Sequence, residues 1–224
     1  MKLEKDTNVE IDTIDVYRYL GYESEQYPRP GVLSLVESQI YEAYAFIKPV
    51  AYYTIKPIMS VENSEIAVDG LLFTSHNLAR VFSSCGQAAI FVVTIGKALE
   101  KKVAQLTKEG LILKASVLDA VGSVAVEKVA NWLENVIGGI AAENGDKVGW
   151  RCSPGYCDWD ITQQKELFGG LDGKSIGVNL TSTYLMVPRK SISGIIGMGK
   201  SCNTFSACRF CSRKNCPHRR EEFA

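Results

Sequence analysis

The clearest periodic pattern in the chain lies between residues 114 and 137. Apolar side chains recur there at three- and four-residue intervals with polar ones between them, which predicts a long amphipathic helix. The apolar stripe consists of Val117, Val121, Val124, Ala125, Val129, Trp132, Val136 and Ile137. Much of the opposite face is Asp119, Glu127, Lys128, Asn131 and Glu134. Gly138 and Gly139 follow, and glycine commonly ends helices, so we predict that the helix stops there.

Shorter helices are predicted from helical spacing and capping residues. They cover approximately 12–20, 32–47, 78–82, 97–107 and 160–169. Asp12 or Thr13 is the expected cap of the first, and Ser75 or Asn77 of the third, because short polar side chains accept hydrogen bonds from helix N-termini. Pro49 is expected to end the second helix.

Strands are predicted where β-branched and aromatic residues cluster, near 51–55 and 65–68. The most hydrophobic run, Ala-Ala-Ile-Phe-Val-Val-Thr-Ile at 88–95, predicts a central buried strand. Two further strands, 177–187 and 191–196, are expected to pair as a hairpin around Pro-Arg-Lys. Because strands and helices do not alternate, the pattern predicts an α+β fold with a largely antiparallel sheet.

Composition limits the function classes. The chain has 224 residues, 46% hydrophobic and 22% charged, which is enough for a normal core. Its 25 basic and 25 acidic residues balance, so no global field attracts nucleic acid or an anionic membrane. No apolar run is long enough to span a bilayer, and the polar start is unlike a signal peptide. We therefore expect a soluble cytoplasmic protein without nucleic-acid or membrane partners.

The end of the chain is rich in cysteine. An odd total of seven cysteines without a secretory signal argues against a disulfide framework. Four cluster near the C-terminus and predict one metal centre: Cys202, Cys208, Cys211 and Cys216. Their compact spacing favours a four-iron–four-sulfur cluster over zinc, which remains the alternative. We thus divide the chain into an α+β domain, 1–200, and a metal-binding tail, 201–224.

Three cysteines lie outside that tail. Cys85 is expected in the core. Cys152 and Cys157 flank a short polar loop, where they could be additional metal ligands or redox partners. The reading we favour for them is small buried hydrophobic residues.

That loop, Arg-Cys-Ser-Pro-Gly-Tyr-Cys-Asp-Trp-Asp at 151–160, carries the candidate binding chemistry. Arg151 offers a planar fork of donors suited to a carboxylate. Gly155 permits a tight turn after a proline, and Tyr156 offers a flat face. These features predict a rigid loop holding a small, charged, partly flat molecule; the alternative is an ordinary surface turn. Asp160 and Gln163 then form the expected capping box of the next helix.

The motif Arg-x-x-Pro-Gly-Tyr resembles the S-adenosylmethionine-binding motif of the activation domain of cobalamin-dependent methionine synthase. Asn-Leu-Thr-Ser-Thr-Tyr-Leu-Met-Val-Pro-Arg-Lys-Ser-Ile-Ser-Gly, 179–194, is similar to the second signature of that family. The resemblance is specific from about Leu113 to Gly194. It implies the family's fold, a twisted antiparallel sheet flanked by long helices.

The resemblance also implies site residues. Arg151 would hold the ligand carboxylate, and Ser153, Gly155 and Tyr156 would line the ligand; no catalytic residue is implied. Three family features are not matched directly. An early acidic residue has only Asp12 and Asp15 as candidates, and a helical glutamate falls at Ser123, with Glu127 retained one helical turn later. A tyrosine after the second signature falls in the cysteine tail.

The function implied is reductive reactivation of a corrinoid enzyme. S-adenosylmethionine would be presented to cobalamin on a separate protein, a cobalamin-binding methionine synthase or another corrinoid protein. The electron would come from a donor such as flavodoxin or ferredoxin. That an iron–sulfur cluster in the tail supplies or relays this electron is a separate hypothesis, prompted only by the four clustered cysteines. Two alternatives remain open: a non-catalytic scaffold with a zinc-stabilised tail, and a stand-alone corrinoid-linked methyltransferase.

Overall fold

The computed structural model describes residues 2–4, 9–22, 28–171 and 173–213. Its helices are α1 (Thr13–Tyr19), α2 (Pro30–Ala43), α3 (His76–Phe82), α4 (Ala98–Lys108), α5 (Ile112–Glu143) and α6 (Gln164–Gly169). Its strands are β1 (Lys2–Glu4), β2 (Val50–Glu62), β3 (Glu65–Val68), β4 (Leu71–Thr74), β5 (Gln87–Thr94), β6 (Lys147–Cys152), β7 (Asn179–Leu180), β8 (Met186–Val187) and β9 (Ser191–Gly199). Short 3-10 turns cover Ile161–Gln163, Gly173–Ile176 and Ala207–Phe210.

The main sheet has the strand order β4-β3-β2-β5-β9-β6, with β1 added on β2. Each pairing in it is antiparallel. The predicted α+β fold with an antiparallel sheet is therefore confirmed. No helix in the described ranges is long and apolar enough to cross a membrane.

The central strand β5 is buried on both faces. Ala89, Phe91 and Val93 point into a core beneath α1, α2, α4 and α5. The alternate residues Ala88, Ile90 and Val92 join a second core, which α3, α6 and the β3–β4 ribbon cover. Two-sided burial explains why this stretch is continuously hydrophobic instead of alternating. The central position predicted from its sequence is confirmed.

Local signals located most of the helices. Asp12 accepts a hydrogen bond from the backbone N–H of Ile14 and caps α1. Ser75 caps α3 by accepting from the backbone N–H of Leu78. Both caps were among the predicted alternatives, and each satisfies a backbone donor that a helix start would otherwise leave unpaired.

The long helix α5 continues beyond its predicted end. The chain stays helical through Gly138 and Gly139 to Glu143, which makes α5 about 48 Å long at 1.5 Å per residue. A glycine ends a helix when it takes a left-handed conformation, and here the first such residue is Gly145, with φ of 69°. The apolar face also continues, since Ala141 is fully buried. The glycine stop was wrong for these reasons.

The predicted hairpin of residues 177–187 with 191–196 was also wrong. In the structure β9 lies between β5 and β6 and pairs with both of them. The short strands β7 and β8 instead form a separate ladder with each other. Strands β1, β4 and β6 had not been predicted. The pairing of β4 with β3 across Asp69-Gly70 has a local hairpin signal that was overlooked. By contrast, β6 pairs with the distant strand β9, which local sequence does not reveal.

Strand β9 comes very close to the segment that follows β6. A Cβ at Gly194 would collide with the carbonyl oxygen of Cys152 and would lie 2.9 Å from Ser153 Oγ and 3.1 Å from the Phe91 ring. The first of these contacts involves backbone, which cannot move aside without disturbing the sheet.

We expect Gly194→Ala to lower the free energy of unfolding by about 1–3 kcal/mol, because overpacking strains a close-packed core. The matched control is Gly139→Ala in α5, where a Cβ would meet no atom within 4 Å. Relief of the helix penalty of glycine should raise stability there by about 0.5–1 kcal/mol. Urea unfolding followed by circular dichroism measures both, and equal stability of Gly194→Ala and the unaltered protein would refute the close approach.

Candidate functional site

A cleft of about 890 Å³ lies beside the Arg151–Asp160 loop. One wall comes from α1 and α5, and another from the end of β6 and the loop itself. A third part comes from Leu185, Met186, Arg189 and residues 191–193 of the second signature segment, and a fourth from residues 206–208. Its volume is within the range of small-molecule sites, roughly 300–1,000 Å³.

Arg151 is the charged centre of this cleft. Its side chain is only 7% exposed and forms an ion pair through Nη2 with Glu127 Oε2 at 2.8 Å. A second carboxylate, Glu134 Oε2, lies 3.7 Å from Nε. Both glutamates lie on α5, seven residues apart, so they share one face of the helix. The buried cation is therefore balanced by acids of the long helix.

One guanidinium nitrogen of Arg151 has no such partner. Nη1 is buried and makes no hydrogen bond within the described residues. A buried donor without an acceptor costs about 1–3 kcal/mol, and more when it is charged. Arg151 lines the cleft, but Nη1 itself is covered by protein atoms.

The loop after Arg151 is tightly folded by its own backbone. The Gly155 N–H donates to the Trp159 carbonyl at 2.7 Å, and the Trp159 N–H donates to the Tyr156 carbonyl at 3.0 Å. Gly155 has a φ of +90°, a conformation that favours glycine. The predicted rigid turn is therefore present.

Asp158 fixes the loop to the start of α3. Its carboxylate accepts from Ser75 Oγ at 2.7 Å and from the His76 backbone N–H at 2.7 Å. Asn77 donates to it through both its backbone and its side chain. Burial raises the pKa of this carboxyl, but the hydrogen bonds from Ser75, Asn77 and His76 outweigh burial and leave the pKa lowered.

Trp159 and Gln163 connect the loop to strand β4. The Trp159 ring is 3% exposed and packs edge-on against Phe73, with ring centroids 5.5 Å apart. Gln163 accepts from the Thr74 N–H and donates to the Thr74 carbonyl, both at 2.7 Å. The Gln163 side chain is thus used on β4 instead of in the predicted capping box. Asp160 caps the short turn before α6 through the Thr162 N–H.

The predicted binding residues have different positions. Arg151, Ser153 and Tyr156 line the cleft, and Tyr156 is 61% exposed at its rim. Gly155 lies between two lining residues but is not one itself; its Cα faces Ile161. That these residues contact a ligand stays a prediction.

The acidic candidates named from the sequence have different positions. Of the early ones, Asp15 lines the cleft and pairs with Lys128 at 2.8 Å, whereas Asp12 only caps α1. Ser123 lies elsewhere and accepts from Lys190 Nζ at 2.8 Å. Glu127, one turn later, pairs with Arg151.

Sequence reasoning missed Glu134 as the second acid beside Arg151. Its place on the polar face of the predicted helix was the available signal.

The cysteines depart from the predicted metal set. Cys202 forms a disulfide with Cys85, their Cα atoms being 4.4 Å apart. This pairing contradicts both the argument against disulfides and the role of Cys202 as a thiolate ligand. It arises because Gln87 and Met198 are partners in the β5–β9 ladder. Cys85 and Cys202 therefore meet just beyond the same end of these two strands.

The remaining predicted ligands stay a prediction. Within the described ranges, no group of three or more histidine, cysteine, aspartate or glutamate side chains is arranged to hold a metal ion. Cys216 lies outside the described residues. Cys208 lines the cleft, and Cys211 is buried.

Cys152 and Cys157 differ in their surroundings. Cys152 is buried, as predicted, and burial raises the pKa of its thiol above the usual range. Cys157 is an exposed residue, which contradicts its reading as a buried hydrophobe. Burial of its sulfur and the nearby Cys211 thiol still raise the pKa of Cys157 to about 12.

Comparisons with known proteins agree with this architecture. Residues 83–216 match the family model described as "Vitamin B12 dependent methionine synthase, activation domain". Among solved structures, the crystal structure of the MetH reactivation domain bound to AdoHcy is similar, with a TM-score of 0.63 and 16% sequence identity. The similarity covers 88% of this chain and 76% of that one. No curated protein matches the chain.

The connection through Asp158 predicts a pH-dependent stability. Because its pKa is lowered in the folded state, Asp158 contributes stability above the unfolded pKa of about 3.9, and this is lost as pH falls through the folded pKa. Asp158→Asn should therefore destabilise the protein by about 1–2 kcal/mol at pH 7, the usual range for a lost cap. The difference should shrink progressively below pH 4 in urea unfolding.

The charge-matched control is Glu166→Gln, which alters an exposed acid on α6. It should change the unfolding free energy little at either pH. A destabilisation by Asp158→Asn that is equally large at low and neutral pH would show that the ionised carboxylate is not responsible.

Proposed function

Because the chain belongs to the family of vitamin B12-dependent methionine synthase activation domains, we propose that it binds S-adenosylmethionine in the cleft and presents it to a corrinoid on a separate protein. The AdoHcy bound to the structurally similar domain supports this ligand, since AdoHcy is S-adenosylmethionine without its methyl group. The observation that carries the proposal is Arg151, buried in the cleft wall with Nη1 unpaired.

The charges around the cleft fit such a ligand. In the proposed complex, the ligand carboxylate accepts a hydrogen bond from the Arg151 guanidinium. Nη1 is covered by protein atoms in the unbound chain, so the side chain must turn towards the cleft for this nitrogen to donate. Asp15 and Glu127, which pair with Lys128 and Arg151, also line the cleft and supply negative charge for the ammonium and sulfonium groups. Tyr156 offers its ring at the rim to the adenosine.

The proposed reaction needs positioning more than acid–base catalysis. The methyl group leaves the sulfonium for the cobalt, and the electron pair of the broken carbon–sulfur bond stays on sulfur as a neutral thioether. An inactive cob(II)alamin must first gain one electron, which we assign to a separate donor such as flavodoxin or ferredoxin. The chain's part is to hold the methyl group towards the corrinoid.

The tail takes part in this site in our proposal. Ser206, Ala207 and Cys208 line the cleft beside the ligand loop, and the Cys85–Cys202 disulfide fixes where the tail begins. We therefore keep the boundary near residue 200 between the α+β domain and the tail only as a division of the sequence, since both parts line the cleft in this proposal. The described start of the tail would then complete the cleft where the family has its tyrosine.

Ligand binding is tested by titration calorimetry with S-adenosylmethionine and with AdoHcy. We expect saturable binding to the unaltered chain and a loss of about tenfold to a hundredfold in affinity for Arg151→Ala, the usual effect of removing a charged hydrogen bond. Lys56→Ala is the control, since Lys56 pairs with Asp69 and does not line the cleft.

Thermal unfolding must show that Arg151→Ala is folded, because the change leaves Glu127 and Glu134 without their cation. If it is not, Gly155→Ala serves instead, since it strains the loop at a φ of +90° and leaves Arg151 unchanged. Absence of binding to the unaltered chain would reject the proposal and favour a non-catalytic scaffold.

Reactivation itself is a separate experiment. The chain is mixed with a methionine synthase that lacks its activation domain and is held as cob(II)alamin, together with S-adenosylmethionine and a one-electron reductant. We expect the absorbance of methylcobalamin to appear only when the chain is present and Arg151 is intact. Methylation that proceeds equally without the chain would contradict the role.

A further inference from the structure

Four cysteines in the described ranges are not disulfide-bonded: Cys152, Cys157, Cys208 and Cys211. They come from two distant segments of the chain, the ligand loop and the 3-10 turn Ala207–Phe210. Three of them, Cys152, Cys157 and Cys208, line the same cleft. The fold therefore gathers thiols at the point where the tail meets the ligand loop.

Cys157 lies against the turn Ala207–Phe210, at whose end Cys211 stands. Burial and a hydrogen bond with the Cys211 thiol raise the pKa of Cys157, which agrees with a short separation of the two sulfurs. The Cys157 sulfur also lies 3.7 Å from the Ala207 carbonyl oxygen, to which its thiol donates. Cys157 ends the tight turn with a φ of 53°, and Cys211 follows the 3-10 turn with an extended backbone. Two thiols from separate segments are thus placed within reach of one another.

We propose that Cys157 and Cys211 form a reversible disulfide that links the ligand loop to the C-terminal segment. The oxidant is a small-molecule disulfide of the glutathione class. One protein thiolate attacks it and releases one small thiol; the second protein thiolate then attacks the mixed disulfide and releases another. Two protein thiols are oxidised and one small disulfide is reduced to two thiols, so electrons and protons balance.

Cys152 is directed away from this pair, since its thiol donates to the Trp150 carbonyl at 3.8 Å. Cys157 is an exposed residue, which gives a small disulfide access. The proposed bond would join two walls of one cleft. Cys157 lines the cleft from the ligand loop, and Cys208, which precedes Cys211 in the same turn, lines it from the tail. Bond formation does not depend on the function proposed above.

The test uses the full chain, purified anaerobically without ligand. It is equilibrated in buffers of increasing ratio of oxidised to reduced glutathione, then quenched in acid, alkylated and digested for mass spectrometry. We expect a linked pair of peptides carrying Cys157 and Cys211 to appear as the ratio rises. The existing Cys85–Cys202 link is the internal reference for digestion and recovery.

Matched variants distinguish the pair from its neighbours. Cys157→Ser and Cys211→Ser should each abolish the new link, and Cys208→Ser should leave it. Thermal unfolding confirms that the variants are folded. Linkage of Cys157 to Cys208 or Cys216, or full alkylation of Cys157 and Cys211 at every ratio, would overturn the proposal. So would stoichiometric metal that protects both thiols until a chelator is added.

Discussion

The close approach of β9 to the end of β6 is the constraint on which the site depends. Gly194 has no side chain, so the Cys152 carbonyl and Ser153 can come against β9 at the start of the ligand loop. This contact fixes the distance between the start of the ligand loop and the sheet. Arg151, one residue before the contact, is paired with Ile196 and is thereby held against α5. The hydrogen bonds of Asp158 then fix the far end of the loop to α3.

A buried cation needs fixed counter-charges, and α5 supplies them. Glu127 and Glu134 reach Arg151 from one helical face, and Asn131, between them, lies 3.4 Å from Nη2. This arrangement holds the guanidinium in place before any ligand arrives, which reduces the ordering that binding would require. One nitrogen, Nη1, is buried and has no hydrogen-bond partner among the described residues. The length of α5 matters here, since a shorter helix could not carry both acids and the core contacts.

How far the sequence predicted the molecule depended on whether the signal was local. The caps Asp12 and Ser75 and the hydrophobic run of β5 act within a few residues, so they were found. The place of β9 between β5 and β6 and the Cys85–Cys202 bond depend on pairings more than 40 residues apart, which spacing cannot encode. The ligand loop was predicted because its turn is built from its own residues. Its partners on α3, β4 and α5 were not, since only the fold brings them there.

The tail illustrates why counting cysteines was insufficient. Cys202 seemed equivalent to its neighbours in spacing, yet the β5–β9 ladder places it against Cys85 and removes it from the set. The following turn then packs on α3, where the Arg80 guanidinium lies 5.1 Å from the Phe210 ring centroid. That packing places the turn Ala207–Phe210 against the ligand loop, where the Cys157 thiol donates to the Ala207 carbonyl. Cys208 of the tail and Arg151 of β6 consequently line one cleft, although 57 residues separate them in the chain.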